Sequence, residues 1–400
     1  MVEAGSVHFR KRLNFEAMSS VKKANVTPTF AVTSDRISSL PLELKGKILS
    51  KLNVEEAVRA SVLSSAWRNV WTIMPRMCLN ERSFVSPDAP ASAFSRFPLS
   101  GQSKFITLVD LALSLHKGSL DSFTIWGKQN YNDVFPRWMY MLSAKRPRFI
   151  IIELISGPKH KIPSNIFSIS ELKYLCLRNC IINLPKDFEG FKHLACLNLT
   201  YFSSTDSSIN RLISSCSLLH KLHLKFFEGI KYLNIHAEEL QFLEVEGKFE
   251  EVLLHAPKLV RVHLILTKTK SHRSVPVEGD RKSYLKQAFG SLARIKELNI
   301  SGPFLTSCPR DEAYSRERIW DQDQTEIEKP TLDHLKTVTL DGFCGLACEV
   351  SLVELLLSWA PALEEMKIHV DGESCLCNPI TKLLALPRTS AKAKIILTRI

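Results

Sequence analysis

The chain is expected to fold as an α/β solenoid with a small three-helix unit ahead of it, and two features of its 400 residues carry that expectation. One is a short phrase, apolar-x-x-apolar-x-apolar, that returns repeatedly from Leu120 onward. The other is the stretch from residue 35 to 75, whose apolar residues recur at helical spacing but are too many for so short a segment to bury alone. With 45% hydrophobic and 24% charged residues, the chain can bury a substantial core. Six Trp and 21 Phe against 15 Gly exclude collagen-like and low-complexity classes.

The helical unit comes first. Pro41 suits the opening turn of a helix, where its missing N–H is harmless, and Leu44, Ile48, Leu49 and Leu52 follow at helical spacing. Gly46 weakens that helix by roughly 1 kcal/mol relative to Ala. Glu55 and Glu56 stand where the next helix begins, favourably set against the positive end of its dipole. That helix carries Ala57, Val58, Ser61 and Val62, and a third short one presents Trp67, Val70 and Trp71.

Asp35 through Pro41, Ile48 to Ser50, Leu52, Ala57, Val58, Ser61 to Ser64, Trp67, Arg68 and Trp71 fall in the register of a plant F-box, which this segment resembles. Leu42 stands where that family usually has Asp, and Ala66 where it usually has Arg. The resemblance implies an F-box over residues 34–80 that binds a Skp-type adaptor and, through it, a cullin. Leu40, Pro41, Leu44, Ile48, Leu49, Leu52, Val58, Val62, Trp67 and Trp71 are the candidate adaptor contacts.

The repeat follows. Leu172, Leu175 and Leu177 form one phrase; Leu194, Leu197 and Leu199 the next; then Leu219, Leu222 and Leu224; Leu240, Leu243 and Val245; Leu259, Val262 and Leu264. Further copies begin at Leu120, Phe149, Ile295, Leu335 and Leu363. In a strand the first, fourth and sixth places can face the interior while those between face solvent. Most steps match the period of about 20–29 residues of leucine-rich repeats, and the longer ones leading to Ile295 and Leu335 require insertions. Cys180 sits where such repeats carry Asn or Cys at the turn, but the other copies lack this ending, so the array is irregular. Ile230, Leu233 and Ile235, with Val252 and Leu254, suit a second, outer strand, whereas Ser207–Cys216 and Val350–Pro361 read as short outer helices. The repeats are placed at 115–330, with a basic loop at 268–282, a polar loop at 309–330, and a flexible leader at 1–33.

Leu335–Gly345, Glu354–Ile368 and Leu383–Leu397 resemble, in order, the three blocks of the FBD domain that ends many plant F-box proteins with leucine-rich repeats. That module is placed at 331–400, where it would cap the apolar end of the solenoid.

The solvent side of the strands offers Tyr174, Arg178, Lys221, His223, Lys225, Phe242, Arg261 and His263 as candidate substrate contacts, since aromatic groups beside Arg and Lys make binding anchors. An acidic or phosphorylated segment of a substrate protein is expected near Lys221 to Arg261. The chain contains no G-x-S-x-G, G-x-x-x-x-G-K-[ST], H-E-x-x-H or G-x-G-x-x-G, so it is read as no enzyme, and no cofactor is expected. The family resemblance implies a substrate-recognition subunit of an SCF-type cullin ubiquitin ligase, contributing proximity while other subunits perform the chemistry. Two alternatives stand beside it: a small-molecule, hormone-like sensor of F-box/leucine-rich architecture, and a basic nucleic-acid-binding repeat protein. The net charge of +12 invites the latter, but the dense basic clusters are confined to Arg10–Arg12, Lys145–Arg148 and Lys268–Arg273.

The ten Cys are scattered and no secretory signal is apparent, so free thiols are expected. Cys344, Cys348, Cys375 and Cys377 have an atypical spacing for zinc, and no metal is expected. No run approaches 18 uninterrupted apolar residues, so no membrane span is expected. The expected location is nucleus, cytoplasm or both.

Overall fold

A computed structural model describes residues 36–84, 98–266, 294–301, 332–370 and 383–399. Asp35, the leader, both inserted loops, Cys375 and Cys377 lie outside the described residues. Residues 36–40 belong to one unit, and the described residues from Pro41 onward to another. Of the first, residues 36–40 form a turn in which the Leu40 amide donates to the Ile37 carbonyl at 3.3 Å.

The second unit opens with helix α1 (Leu42–Leu49), preceded by Pro41, and helix α2 (Val54–Val62). Glu56 reaches back to accept from the Asn53 amide at 3.0 Å, satisfying one donor at the start of α2. The expected third helix is instead two 3-10 turns, Ser65–Trp67 and Val70–Ile73. Asn69, at φ 62°, breaks them, because a left-handed residue cannot continue a right-handed helix.

Among the described residues, a main sheet of twelve parallel strands follows in chain order. Its members are β1 (Arg76–Asn80), β2 (Ser122–Gly127), β3 (Phe149–Leu154), β5 (Tyr174–Arg178), β7 (Cys196–Thr200), β8 (Lys221–Phe227), β10 (Phe242–Gly247), β12 (Arg261–Leu266), β13 (Glu297–Ser301), β14 (Thr337–Phe343), β15 (Glu365–Val370) and β16 (Lys394–Arg399). Two small parallel pairs stand apart: β4 (His160–Lys161) with β6 (Cys180–Ile181), and β9 (Tyr232–His236) with β11 (Glu251–His255). The second of these is the outer strand pair expected from Leu233, Ile235, Val252 and Leu254.

Helices α3 (Pro98–Leu115), α4 (Phe135–Ala144), α5 (Asp206–Ser214) and α6 (Ala347–Trp359) fill connections between strands. The last two match the expected outer helices, while α3 and α4 had no counterpart in the repeat phrase. The first strand also comes early: β1 joins the sheet from within the range assigned to the helical unit.

Alternation builds the core. Met77, Phe123, Ile150, Leu175, Leu197, Leu222, Leu243, Val262, Leu298, Val338 and Met366 are ladder neighbours from β1 to β15, each at most 1% exposed. A period of two leaves their neighbours on the opposite face. One phrase is corrected by this register. Phe149 pairs with Tyr174, which puts it on the open face, and Pro147, Ile150 and Ile152 take the inward places instead.

The helical unit is tied to the first repeat through main-chain groups. The Lys117 amide donates to the Thr72 carbonyl at 2.7 Å, and buried His116 places Nε2 at 3.0 Å from the Met74 carbonyl.

Candidate functional site

Two surfaces emerge, one on the helical unit and one on the sheet. On α1, Lys45, Gly46 and Leu49 turn inward. The Lys45 ammonium donates to the Ala66 carbonyl at 3.2 Å and lies 5.8 Å from the Trp67 ring centre, which fixes α1 to the chain after α2. Helical geometry then sends Leu44 and Ile48 outward, one turn apart, and Ile48 is 46% exposed. Pro41, Leu42 and Leu52 are exposed too, and the end of α2 adds Val62 and Leu63, at 82% and 87% exposed. Leu63, missed among the candidates, is the most exposed of these large apolar residues.

The other candidate adaptor contacts are less accessible. Leu49 is 3% exposed and belongs to the interior, so it is withdrawn from the docking face. Its position one turn before Asn53 on the Lys45 side of the helix puts it under α1. Val58, Trp67 and Trp71 are half-buried and pack on the core, supporting the face more than forming it. Leu40, in the separate unit, is half-buried.

On the sheet, the ladder sorts the outward residues into three rows. The first row runs Phe149, Tyr174, Cys196, Lys221, Phe242, Arg261, Glu297. The second runs Ile151, Cys176, Asn198, His223, Glu244, His263, Asn299, and the third Glu153, Arg178, Thr200, Lys225, Glu246, Ile265. All eight candidate substrate contacts lie on these rows. Tyr232 and His236, by contrast, belong to the outer pair, where His236 stacks on His255 at 4.4 Å.

Electrostatics change how the candidates can act. Glu244 accepts from His223 Nδ1 at 2.8 Å and pairs with Lys225 Nζ at 2.7 Å, and Lys225 also approaches Glu246 at 3.9 Å. Burial alone would raise the Glu244 carboxyl, but these two donors outweigh it and hold it at about 2. Burial, with the Glu244 charge beside it, pushes Glu246 up despite Lys225. His263 faces Glu297 at 3.3 Å, and Arg261 lies 5.5 Å from the Phe242 ring centre. His223, Lys225 and His263 are therefore partnered from within, which weakens the expected cationic patch as a seat for an acidic segment. Lys225 and His223 are the clearest losses.

Nucleophilic chemistry gains nothing from this face. Burial pushes the Cys176 thiol up to about 12 and raises Cys196 as well, so neither is a ready thiolate. A groove of about 530 Å³ runs between Ser164–Ser170 and Pro185–Lys192, lined by Phe167 and Phe188 among others. None of its lining residues lies on the three rows, so it does not supply the open-face pocket that a small-molecule sensor requires.

Comparison with known proteins agrees with this anatomy. The F-box domain family matches residues 37–79, and the family described as FBD-associated F-box protein At5g56370, LRR repeats, matches residues 135–308. The F-box/FBD/LRR-repeat protein At1g13570 of Arabidopsis thaliana is 29% identical, across 84% of this chain and 76% of its own length. From the same plant, At1g51370 is 21% identical across 92% of this chain and 97% of its own length. At5g56420 is 30% identical across 58% and 55% respectively. A helical unit joined to a long parallel repeat sheet thus defines an F-box protein with leucine-rich repeats. The chain is similar in both parts to the plant F-box/FBD/leucine-rich-repeat family.

Proposed function

We propose that this chain is the substrate-recognition subunit of an SCF-type cullin ubiquitin ligase. The F-box face of Pro41, Leu44, Ile48, Leu52, Val62 and Leu63 binds a Skp-type adaptor, and the open face of the repeat sheet selects the protein to be ubiquitinated. In this reading residues 34–80 are the F-box, 115–330 the repeats and 331–400 an FBD cap, and the chain works in nucleus or cytoplasm without chemistry of its own.

One observation carries the reading: apolar side chains on two adjacent short helices stay exposed although the unit behind them is fully packed. Apolar surface left uncovered next to a packed body marks a protein interface. Its rigid connection to the sheet would let it hold a bound protein at a set distance from the ligase.

Purified adaptor and the full chain test this in a pull-down. Wild-type chain is expected to retain the adaptor, and Ile48→Asp to lose it while keeping its thermal transition. Failure of the folded wild-type chain to bind removes the foundation of the proposal.

A further inference from the structure

Among the eight candidate contacts, Arg178 lies closest over an aromatic ring, at 4.7 Å against 5.5 Å for Arg261. The described residues place no carboxylate within ion-pair distance of its guanidinium, although Glu153 is its ladder neighbour on β3. Instead the guanidinium lies 4.7 Å from the centre of the Tyr201 ring. Tyr201 in turn stacks on Phe226, with ring centres 4.7 Å apart and planes at 22°.

The backbone beneath this stack is costly. Arg178, Thr200 and Lys225 are ladder neighbours, and the next residue in each strand turns into the left-handed region: Asn179 at φ 58°, Tyr201 at 53° and Phe226 at 51°. Asn tolerates that conformation, whereas bulky aromatic residues rarely adopt it. Gly or Asn would make the turn more easily, so packing of the turn does not explain the rings. What the rings do is brace the guanidinium, and backbone strain of this kind collects where function needs it.

We propose that Arg178, braced by Tyr201 and Phe226, is the anchor for a carboxylate side chain in an Asp- or Glu-containing segment of the protein that the sheet selects. This rests on the reading of the sheet as the substrate surface. A guanidinium stacked on a ring keeps its N–H edge free, and that edge matches the two oxygens of a carboxylate. Charge argues for a carboxylate over a phosphate. Phosphate sites gather several cations, but the nearest row-three cation, Lys225, is already shared between Glu244 and Glu246.

The test selects random dodecapeptides on phage against the full chain and measures the enriched peptides by fluorescence anisotropy. Enrichment of Asp and Glu is expected, with affinity falling at least tenfold in Arg178→Gln and nearly as far in Arg178→Lys. Tyr201→Gly is expected to raise the melting temperature while weakening peptide binding, a pairing that a merely structural ring would not produce. Selection without acidic enrichment, or equal binding by Arg178→Gln, overturns the proposal, as does tighter binding of the same peptides with phosphoserine replacing the acid. Adaptor binding measured on the same samples separates the outcomes, since its persistence leaves the ligase reading standing when the anchor fails.

Discussion

Gly46 and Gly118 press on the same residue, Ile73, one from helix α1 of the F-box and the other from the turn after α3. A β-carbon at Gly46 would lie 3.2 Å from the Ile73 carbonyl oxygen, and one at Gly118 would lie 3.2 Å from its α-carbon and 3.3 Å from that same oxygen. Two bare backbones thus allow the F-box and the first repeat to close on one 3-10 turn.

Gly46 therefore reverses a simple propensity argument. In an exposed helix, Gly→Ala adds about 1 kcal/mol of stability. Here the added methyl meets main chain that cannot swing aside, so Gly46→Ala is expected to give no gain, or a loss of about 1 kcal/mol, in urea denaturation. A full gain would show that Ile73 yields freely and that the junction is loose.

A second pair of glycines offers a sharper contrast. Gly190 has φ 103°, and a β-carbon there would fall 2.0 Å from the Ser215 carbonyl oxygen, an overlap no rotamer can relieve. Gly190→Ala is expected to cost about 3 kcal/mol or more. Gly101, in α3, has nothing within 4 Å of the same position, so Gly101→Ala is expected to gain up to about 1 kcal/mol. Melting temperatures of the two variants should move in opposite directions.

The repeat was legible because each copy repeats the same inward places, and Leu175, Leu197, Leu222, Leu243 and Val262 could be aligned without any structure. Strand β1 was not, since Met77 and Leu79 are its only fully buried apolar residues. Helix α3 hid for another reason: no phrase of the repeat marks it. Phe149 was misread because an apolar ring on the open face mimics an inward residue two places away. On the site, the outward residues followed from alternation, but their mutual pairing did not. Aligning Leu222, Leu243 and Val262 does set His223 beside Glu244, yet only side-chain geometry shows that Glu244 takes both His223 and Lys225.

Neighbouring residues on α1 should separate stability from binding. Leu49→Ala removes a fully enclosed side chain and is expected to cost about 2–5 kcal/mol. Ile48→Ala, on the outward side, is expected to change stability by no more than about 0.5 kcal/mol. Adaptor affinity should respond in the opposite order once both proteins are folded, falling for Ile48→Ala. Calorimetric titration of each variant with the adaptor checks this, and equal affinities for wild type and Ile48→Ala would move the contact away from this face.

The acid limb of the stability curve should carry two steps, with His160 contributing to the upper and Glu244 to the lower. His160 stacks on Phe135 at 5.0 Å, with Nδ1 against the Asn132 side-chain oxygen, and burial lowers its imidazole to about 4 from an ordinary 6.5. Below pH 6.5 the unfolded chain takes up a proton that the folded chain refuses, so stability is lost as pH falls from about 6.5 to about 4, by at most roughly 3 kcal/mol. Glu244 acts lower. Its carboxyl is held at about 2 against an ordinary 4.5, so its contribution is complete above about 4.5 and disappears as pH falls toward about 2. His160→Gln should shrink the upper step and leave the lower one, with buried His116, also lowered by burial, supplying the remainder, and Glu244→Gln should shrink the lower step alone, in urea melts across pH 3 to 8. An NMR titration midpoint for His160 at or above 6.5 would remove the upper step and with it the buried neutral imidazole.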